Sequence, residues 1–193
     1  MFGLVNKGIE DMVCNQFGED IWESIKEKAD VDVVTFISMD SYPDDFTYRL
    51  VDAASEVLNI SATDVLEAFG RYWVLFTATE GYEELMAITG DNLPEFLQNL
   101  DNLHGRVGLS FPNLQMPSFQ CSELQPESLN LHYYSDRPGL TPLVIGILKG
   151  LGERFKTDVD IRHVSGKSDG KDHEQLTIAH KSKCPFSDRL GRK

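Results

Sequence analysis

Residue 104 is a histidine set among leucines. Phe96, Leu97, Leu100, Leu103 and Val107 recur around it at helical spacing, so the imidazole shares an otherwise apolar face. Two chemistries suit such a histidine. It can be a core residue whose ring meets a backbone carbonyl, or a ligand that a helix presents to a buried iron while the leucines keep water out. Further along, Tyr133, Ser135 and Arg137 form the pattern Tyr-x-Ser-x-Arg at the end of an expected strand. Period-two alternation puts all three on one face. A phenol, a hydroxyl and a guanidinium on one face grip a doubly anionic group, the guanidinium meeting carboxylates in bidentate fashion. An ordinary surface strand with a salt bridge carries the same residue types.

The elements that position these residues read as helices first and strands later. Val5, Ile9, Met12 and Val13 follow one helical face, and Ile21, Trp22 and Ile25 resume it after Gly18. The stretch Val31 to Ser38 is rich in β-branched residues and reads equally as strand or loop. Pro43 with Asp44 and Asp45 opens a helix that turns Leu50, Val51, Ala54, Val57 and Leu58 inward. Ser61 and Asp64 resemble a capping box, ahead of a helix carrying Val65, Leu66, Phe69, Trp73 and Phe76. A further helix spans about Gly81 to Ile88. Asp91 or Asn92 caps the helix of His104, with Pro94 in its first turn. Phe111-Pro112 and Met116-Pro117 then end helix formation. Strands are expected at 118–122, 128–134, 158–164 and 174–181, with a helix from Leu140 to Phe155 and a hairpin connection from Ser165 to Asp172. The expected fold class is α+β, an N-terminal helical lobe over about 1–65 followed by an α/β lobe with an antiparallel sheet over about 66–181. A basic tail, 182–193, is expected to be a flexible end.

Composition narrows the function. The chain has 193 residues, 41% apolar and 25% charged, which suits one globular domain. A formal net charge of −13 argues against nucleic acid and anionic membranes as partners. Cys14, Cys121 and Cys184 are scattered and form no Cys-x-x-Cys pair, so neither a disulfide framework nor a zinc knuckle is indicated. No signal peptide or membrane-length apolar run is present, so a cytoplasmic location is expected. The enzyme signatures Gly-x-Ser-x-Gly, P-loop and His-Glu-x-x-His are missing as well, so no enzyme is expected.

A haem joins an iron to two propionates, so His104 and the Tyr133–Ser135–Arg137 group together suggest two halves of one pocket. Gly105 leaves room beside the histidine for a flat macrocycle. The segments Glu95-Phe-Leu-Gln-Asn-Leu-Asp-Asn-Leu-His104, Pro117-Ser-Phe-Gln-Cys121 and Leu131-His-Tyr-Tyr-Ser-Asp-Arg137, with the opening Met1-Phe-Gly-Leu-Val-Asn, resemble the haem nitric oxide/oxygen-binding (H-NOX) domains. The likeness is greatest to stand-alone cyanobacterial members and to the beta subunit of soluble guanylate cyclase. It implies haem b buried between the two lobes, held by His104 as proximal iron ligand and by Tyr133, Ser135 and Arg137 on its propionates. It also implies Pro117 as the proline that distorts the macrocycle, and Val5 as an aliphatic contact. Trp73 matches a large distal aromatic, and is equally readable as core packing beside Phe69 and Phe76.

Oxygen-binding members of the family carry a distal tyrosine after the arginine. Here no tyrosine follows Tyr134, and Leu140, Pro142, Leu143 and Ile147 populate that region. The resemblance therefore implies a sensor of NO, with CO also binding and O2 excluded. Ligand binding opposite His104 would loosen its bond to iron and let the lobes shift. No output segment is seen, so a separate effector is expected, such as a histidine kinase or a cyclic-dinucleotide enzyme. Cys121 matches a family cysteine, readable as a regulatory thiol or as buried structure. The rival to all of this is a module without haem that binds a partner protein or another hydrophobic ligand.

Overall fold

Alternation of helix and strand signals along the chain becomes seven α-helices and four strands in the computed structural model, which describes residues 1–77, 79–110 and 115–182. Phe111-Pro112, Cys184 and the basic tail from 183 onward lie outside the described residues. The chain divides into two compact units, Met1–Gly81 with Gly139–Gly150, and Tyr82–Pro138 with the described part of Leu151–Lys193.

The first unit is helical. Helix α1 (Gly3–Phe17) buries Ile9, Met12 and Val13, and α2 (Glu19–Ala29) buries Trp22, Ile25 and Ala29. Gly18 separates them at φ +94°, a backbone angle that side-chain-bearing residues avoid. Helix α3 (Asp44–Leu58) starts after Pro43 with two acidic residues in its first turn, favourable at the positive end of the helix dipole. Residues 31–41 form no strand. Val31 and Phe36 anchor a loop, Phe36 meeting the Tyr42 ring edge-on at 5.1 Å, while Val34 is 88% exposed. Helix α4 (Ala62–Tyr72) is capped by Ser61, whose Oγ accepts from Asp64 N at 3.1 Å. The Asp64 carboxylate accepts the Ser61 hydroxyl at 2.6 Å, so the reciprocal bond of a full capping box is replaced by one between side chains.

After Tyr72 the helix widens into a π turn, Trp73–Thr77. That extra residue per turn breaks the 3.6-residue register on which the expected Trp73 and Phe76 positions relied. Phe76 is 52% exposed and stacks on Tyr72 at 4.7 Å instead of entering the core. Trp73 stays half-buried, edge-on to Phe69 at 5.9 Å. Helix α7 (Thr141–Arg154) approaches α4 closely in this unit. A Cβ on Gly146 would stand 2.1 Å from the Glu67 carbonyl oxygen, and one on Gly70 would stand 2.2 Å from that of Leu143.

The second unit pairs α5 (Thr79–Ala87, which begins in the first unit) and α6 (Leu93–Ser110) with a sheet. Asn92, rather than Asp91, caps α6: its Oδ1 accepts from Glu95 N at 3.0 Å, and the Glu95 carboxylate accepts from Asp91 N at 3.1 Å. Leu93, Phe96, Leu97 and Leu100 are buried. Strands β1 (Ser118–Gln125), β2 (Ser128–Tyr134), β3 (Thr157–Ser165) and β4 (Glu174–Ser182) form one antiparallel sheet in the order β1-β2-β4-β3. The α+β expectation holds. One sheet face carries Phe119, Leu129, Leu131, Tyr133, Leu176, Ile178 and His180, all buried; the other carries polar residues such as Ser122, Asn130, His132, Gln175 and Thr177. No helix among the described residues is long and apolar enough to cross a membrane.

Candidate haem site

Helix α6 and strand β1 are clasped by two hydrogen bonds. His104 Nδ1 lies 3.0 Å from the Pro117 carbonyl, and Phe119 N donates to Asp101 Oδ1 at 3.0 Å. Asp101 precedes His104 by three residues, so helical geometry stacks both on one side of α6. A carbonyl oxygen only accepts, so His104 Nδ1 carries the proton and Nε2 keeps its lone pair. Burial pushes the His104 pKa below its ordinary value, outweighing the Pro117 bond and the Asp101 charge, both of which raise it. The ring is therefore neutral, its tautomer set, and its Nε2 lone pair free of a proton. Metal-binding histidines need this state, with the second nitrogen bonded to a carbonyl or carboxylate. Both readings of His104 meet here, because the carbonyl that satisfies a core histidine is also the one that prepares a ligand.

Phe119 extends the site. Its ring lies 5.5 Å from His104 and is stacked on Tyr133 at 5.2 Å. Tyr133 is buried in β2, and burial raises its phenol pKa, opposed by a hydrogen bond with Ser135 and by the Arg137 charge. The three donors do come together, though not by strand alternation. Strand β2 ends at Tyr134, and Ser135 Oγ accepts from Arg137 N at 3.1 Å, closing a local bend that replaces the ladder. Arg137 reaches back to donate to the Gln115 carbonyl at 2.8 Å, and Lys167 Nζ donates to the Ser135 carbonyl.

The second unit thus gathers His104, Pro117, Tyr133, Ser135 and Arg137. Val5, Trp73 and Leu143 belong to the first unit, where each is half-buried against the helical core. A neutral imidazole with a lone-pair nitrogen, and a phenol, hydroxyl and guanidinium at one strand end, fit the donor set a haem requires. Gly105 fits as well, since a Cβ there would meet nothing within 4 Å. Phe119, Asp101 and Gln115 are parts of the site that the sequence did not single out. Asp101 at three residues from the histidine was a usable signal; Gln115 acts through its backbone and leaves none. Cys121 is half-buried in β1, and burial pushes its thiol up to about 11, which suppresses the thiolate and favours structure over reactivity.

A helix that presents a neutral imidazole to a sheet with an anion grip at one strand end is an arrangement that fits a haem. Residues 2–163 match the family model described as haem-NO-binding. Soluble guanylate cyclase gcy-32 of Caenorhabditis elegans is 35% identical over 164 residues, 83% of this chain and 24% of the cyclase. Guanylate cyclase soluble subunit beta-2 of Rattus norvegicus is 35% identical over 124 residues, 61% of this chain and 18% of that subunit. The chain therefore spans about a quarter or less of the length of these relatives. The H-NOX protein of S. oneidensis in its Fe(II)NO ligation state superposes with a TM-score of 0.84 at 24% identity, covering 94% of this chain and all of that one. An unliganded Fe(II) H-NOX mutant from K. algicida gives 0.83 at 22% identity, covering 96% of this chain and all of that one. These likenesses establish the fold. The chain belongs to the haem-NO-binding, or H-NOX, family.

Proposed function

We propose that this chain senses nitric oxide through a non-covalently held haem b, takes CO as a second ligand, and excludes O2. Its signal passes to a separate effector protein such as a histidine kinase or a cyclic-dinucleotide enzyme, in the cytoplasm. The observation that carries this reading is the bond from His104 Nδ1–H to the Pro117 carbonyl, which leaves Nε2 available to iron in a neutral ring. When bound, haem would supply a ferrous iron able to take a diatomic gas.

The residues divide the remaining work. His104 would donate a bond to the metal, with Pro117 orienting that ring through its carbonyl and packing on the macrocycle. Tyr133, Ser135 and Arg137 would hold the two propionates by charge-assisted hydrogen bonds. Val5, Trp73 and Leu143 supply apolar contacts that exclude water. Selectivity rests on side-chain chemistry after Arg137: Leu140, Pro142, Leu143 and Ile147 offer no donor, and no tyrosine follows Tyr134. O2 draws charge from iron and gains most from a donor, whereas NO gains little. The Trp73 indole is edge-on to Phe69, which supports packing as its role.

Absorption spectra of the ferrous protein under argon, then air, then NO test this directly. An intense Soret band that is unchanged in air and shifts with NO is expected. A stable change in air overturns the selectivity, and the absence of a Soret band after haem reconstitution overturns the haem reading.

A further inference from the structure

On the polar face of the sheet, remote in chemistry from the haem residues, four side chains form an unbroken hydrogen-bonded row. Ser122 Oγ lies 2.7 Å from His132 Nε2, His132 Nδ1 lies 2.9 Å from His173 Nε2, and His173 Nδ1 lies 2.6 Å from Asp172 Oδ1. Ser122 and His132 are diagonal neighbours on β1 and β2, whose register pairs Ser122 with Asn130 and Gln120 with His132. Asp172 and His173 arrive from the β3–β4 connection, and Tyr134 stacks on the His173 ring at 4.5 Å to hold it in place.

The carboxylate at one end sets the direction of every bond. An ionised Asp172 only accepts, so His173 Nδ1 donates, and in a neutral ring its Nε2 then accepts. His132 Nδ1 then donates, its Nε2 accepts, and the remaining donor is the Ser122 hydroxyl. This is the arrangement that activates a serine: a nucleophile on a base, with the base oriented and its charge offset by further groups. A second observation points the same way. Glu123, directly after Ser122, holds φ +49° at a bulge where the β1 register slips between Ser122 and Gln125. Bulges re-aim side chains, and left-handed backbone at residues other than glycine clusters at functional sites. Ser122 and His132 are partly exposed, so a small molecule can reach them.

We propose that Ser122 is an activated nucleophile and a covalent modification site for activated carboxylic esters, with His132 as general base and His173 and Asp172 as positioning residues. Ser122 Oγ forms a bond to the acyl carbon while the ester C–O bond breaks. The hydroxyl proton passes to His132 Nε2 and then to the departing oxygen, so the products are acyl-serine and an alcohol or phenol. No oxidant or metal enters the balance. Burial and the neighbouring His173 keep His132 below its ordinary pKa, against the pull of Glu123, and the His173 bond holds Asp172 ionised with help from Lys167.

Incubation of the intact protein with p-nitrophenyl acetate, followed by peptide mass spectrometry, tests the site. One acetyl group mapped to Ser122, with stoichiometric release of p-nitrophenol, is expected. Ser122→Ala abolishes that label, and His132→Gln slows it by about 100-fold, the lower range for general-base catalysis. Asp172→Asn moves the midpoint of the rate's pH profile to lower pH, which a purely structural role would not do, and Asp172→Glu restores it. Far-UV circular dichroism establishes that each variant is folded. Acetylation confined to lysines, or an unchanged rate at Ser122 in folded His132→Gln, overturns the proposal.

Discussion

The two faces of one sheet treat imidazole in opposite ways. Against the buried face, where Phe119, Tyr133 and Leu131 lie, His104 gives its Nδ1–H to a backbone carbonyl. His180 sits on that face too, buried in β4, with no hydrogen-bond partner at Nε2 among the described residues. On the polar face His132 and His173 are each other's partners, and their directions come from a carboxylate. The difference teaches where each ring's chemistry originates. In the apolar setting desolvation keeps the ring neutral and leaves a lone pair for a metal; in the polar setting a row of hydrogen bonds selects which nitrogen acts as a base.

The contrast breaks or sharpens under substitution. The largest effect is expected from His104→Gly, which would remove the proposed bond to the haem iron: the Soret band of the reconstituted protein should be lost, and added imidazole should restore it. A band that survives without imidazole would remove the buried face from the haem reading. Next, Asp101→Ala strips the acceptor from Phe119 N–H and loosens the clasp that carries the Pro117 carbonyl. Urea denaturation should show a loss of about 1–2 kcal/mol. Arg162→Ala, which removes a partner of exposed Asp160 on the polar face, should move stability by less than about 0.5 kcal/mol. Equal losses from the two changes would erase the distinction between the faces.

The smallest effect concerns acid. Burial lowers the pKa of His180 from 6.5, more than the Glu127 charge raises it. The unfolded chain therefore takes up a proton first as pH falls. The stability His180 contributes is fully present above pH 6.5, declines below it, and levels off beneath the folded-state pKa. His180→Gln should flatten part of the decline in urea midpoints measured between neutral and mildly acidic pH. A slope identical to that of the native chain would show that this ring is not held neutral by the fold.

Periodicity made much of the architecture readable. Alternation marked all four strands to within a few residues, and the run from Leu93 to Ser110 declared itself by leucine spacing around His104. The proposed haem residues could be picked out because an imidazole on an apolar helix and a Tyr-x-Ser-x-Arg pattern are each short and local. Other parts failed for physical reasons. The π turn at Trp73 shifts a register that sequence alone reads as continuous, so Phe76 was placed inward when it faces solvent. Ser135 and Arg137 were assigned to a strand face, but a serine side chain bonding to a backbone N–H ended the ladder before them.

What the residues determined unaided were the elements and the chemical types at the proposed haem site, because hydrophobic period and side-chain identity are local properties. Three decisions needed the folded chain: which nitrogen of His104 holds its proton, which carbonyl receives it, and which of five histidines become partners. Those depend on where a carbonyl thirteen residues away in sequence, or a carboxylate forty residues away, comes to rest. Hydrogen bonds act over about 3 Å, and only tertiary packing brings such distant groups within that reach.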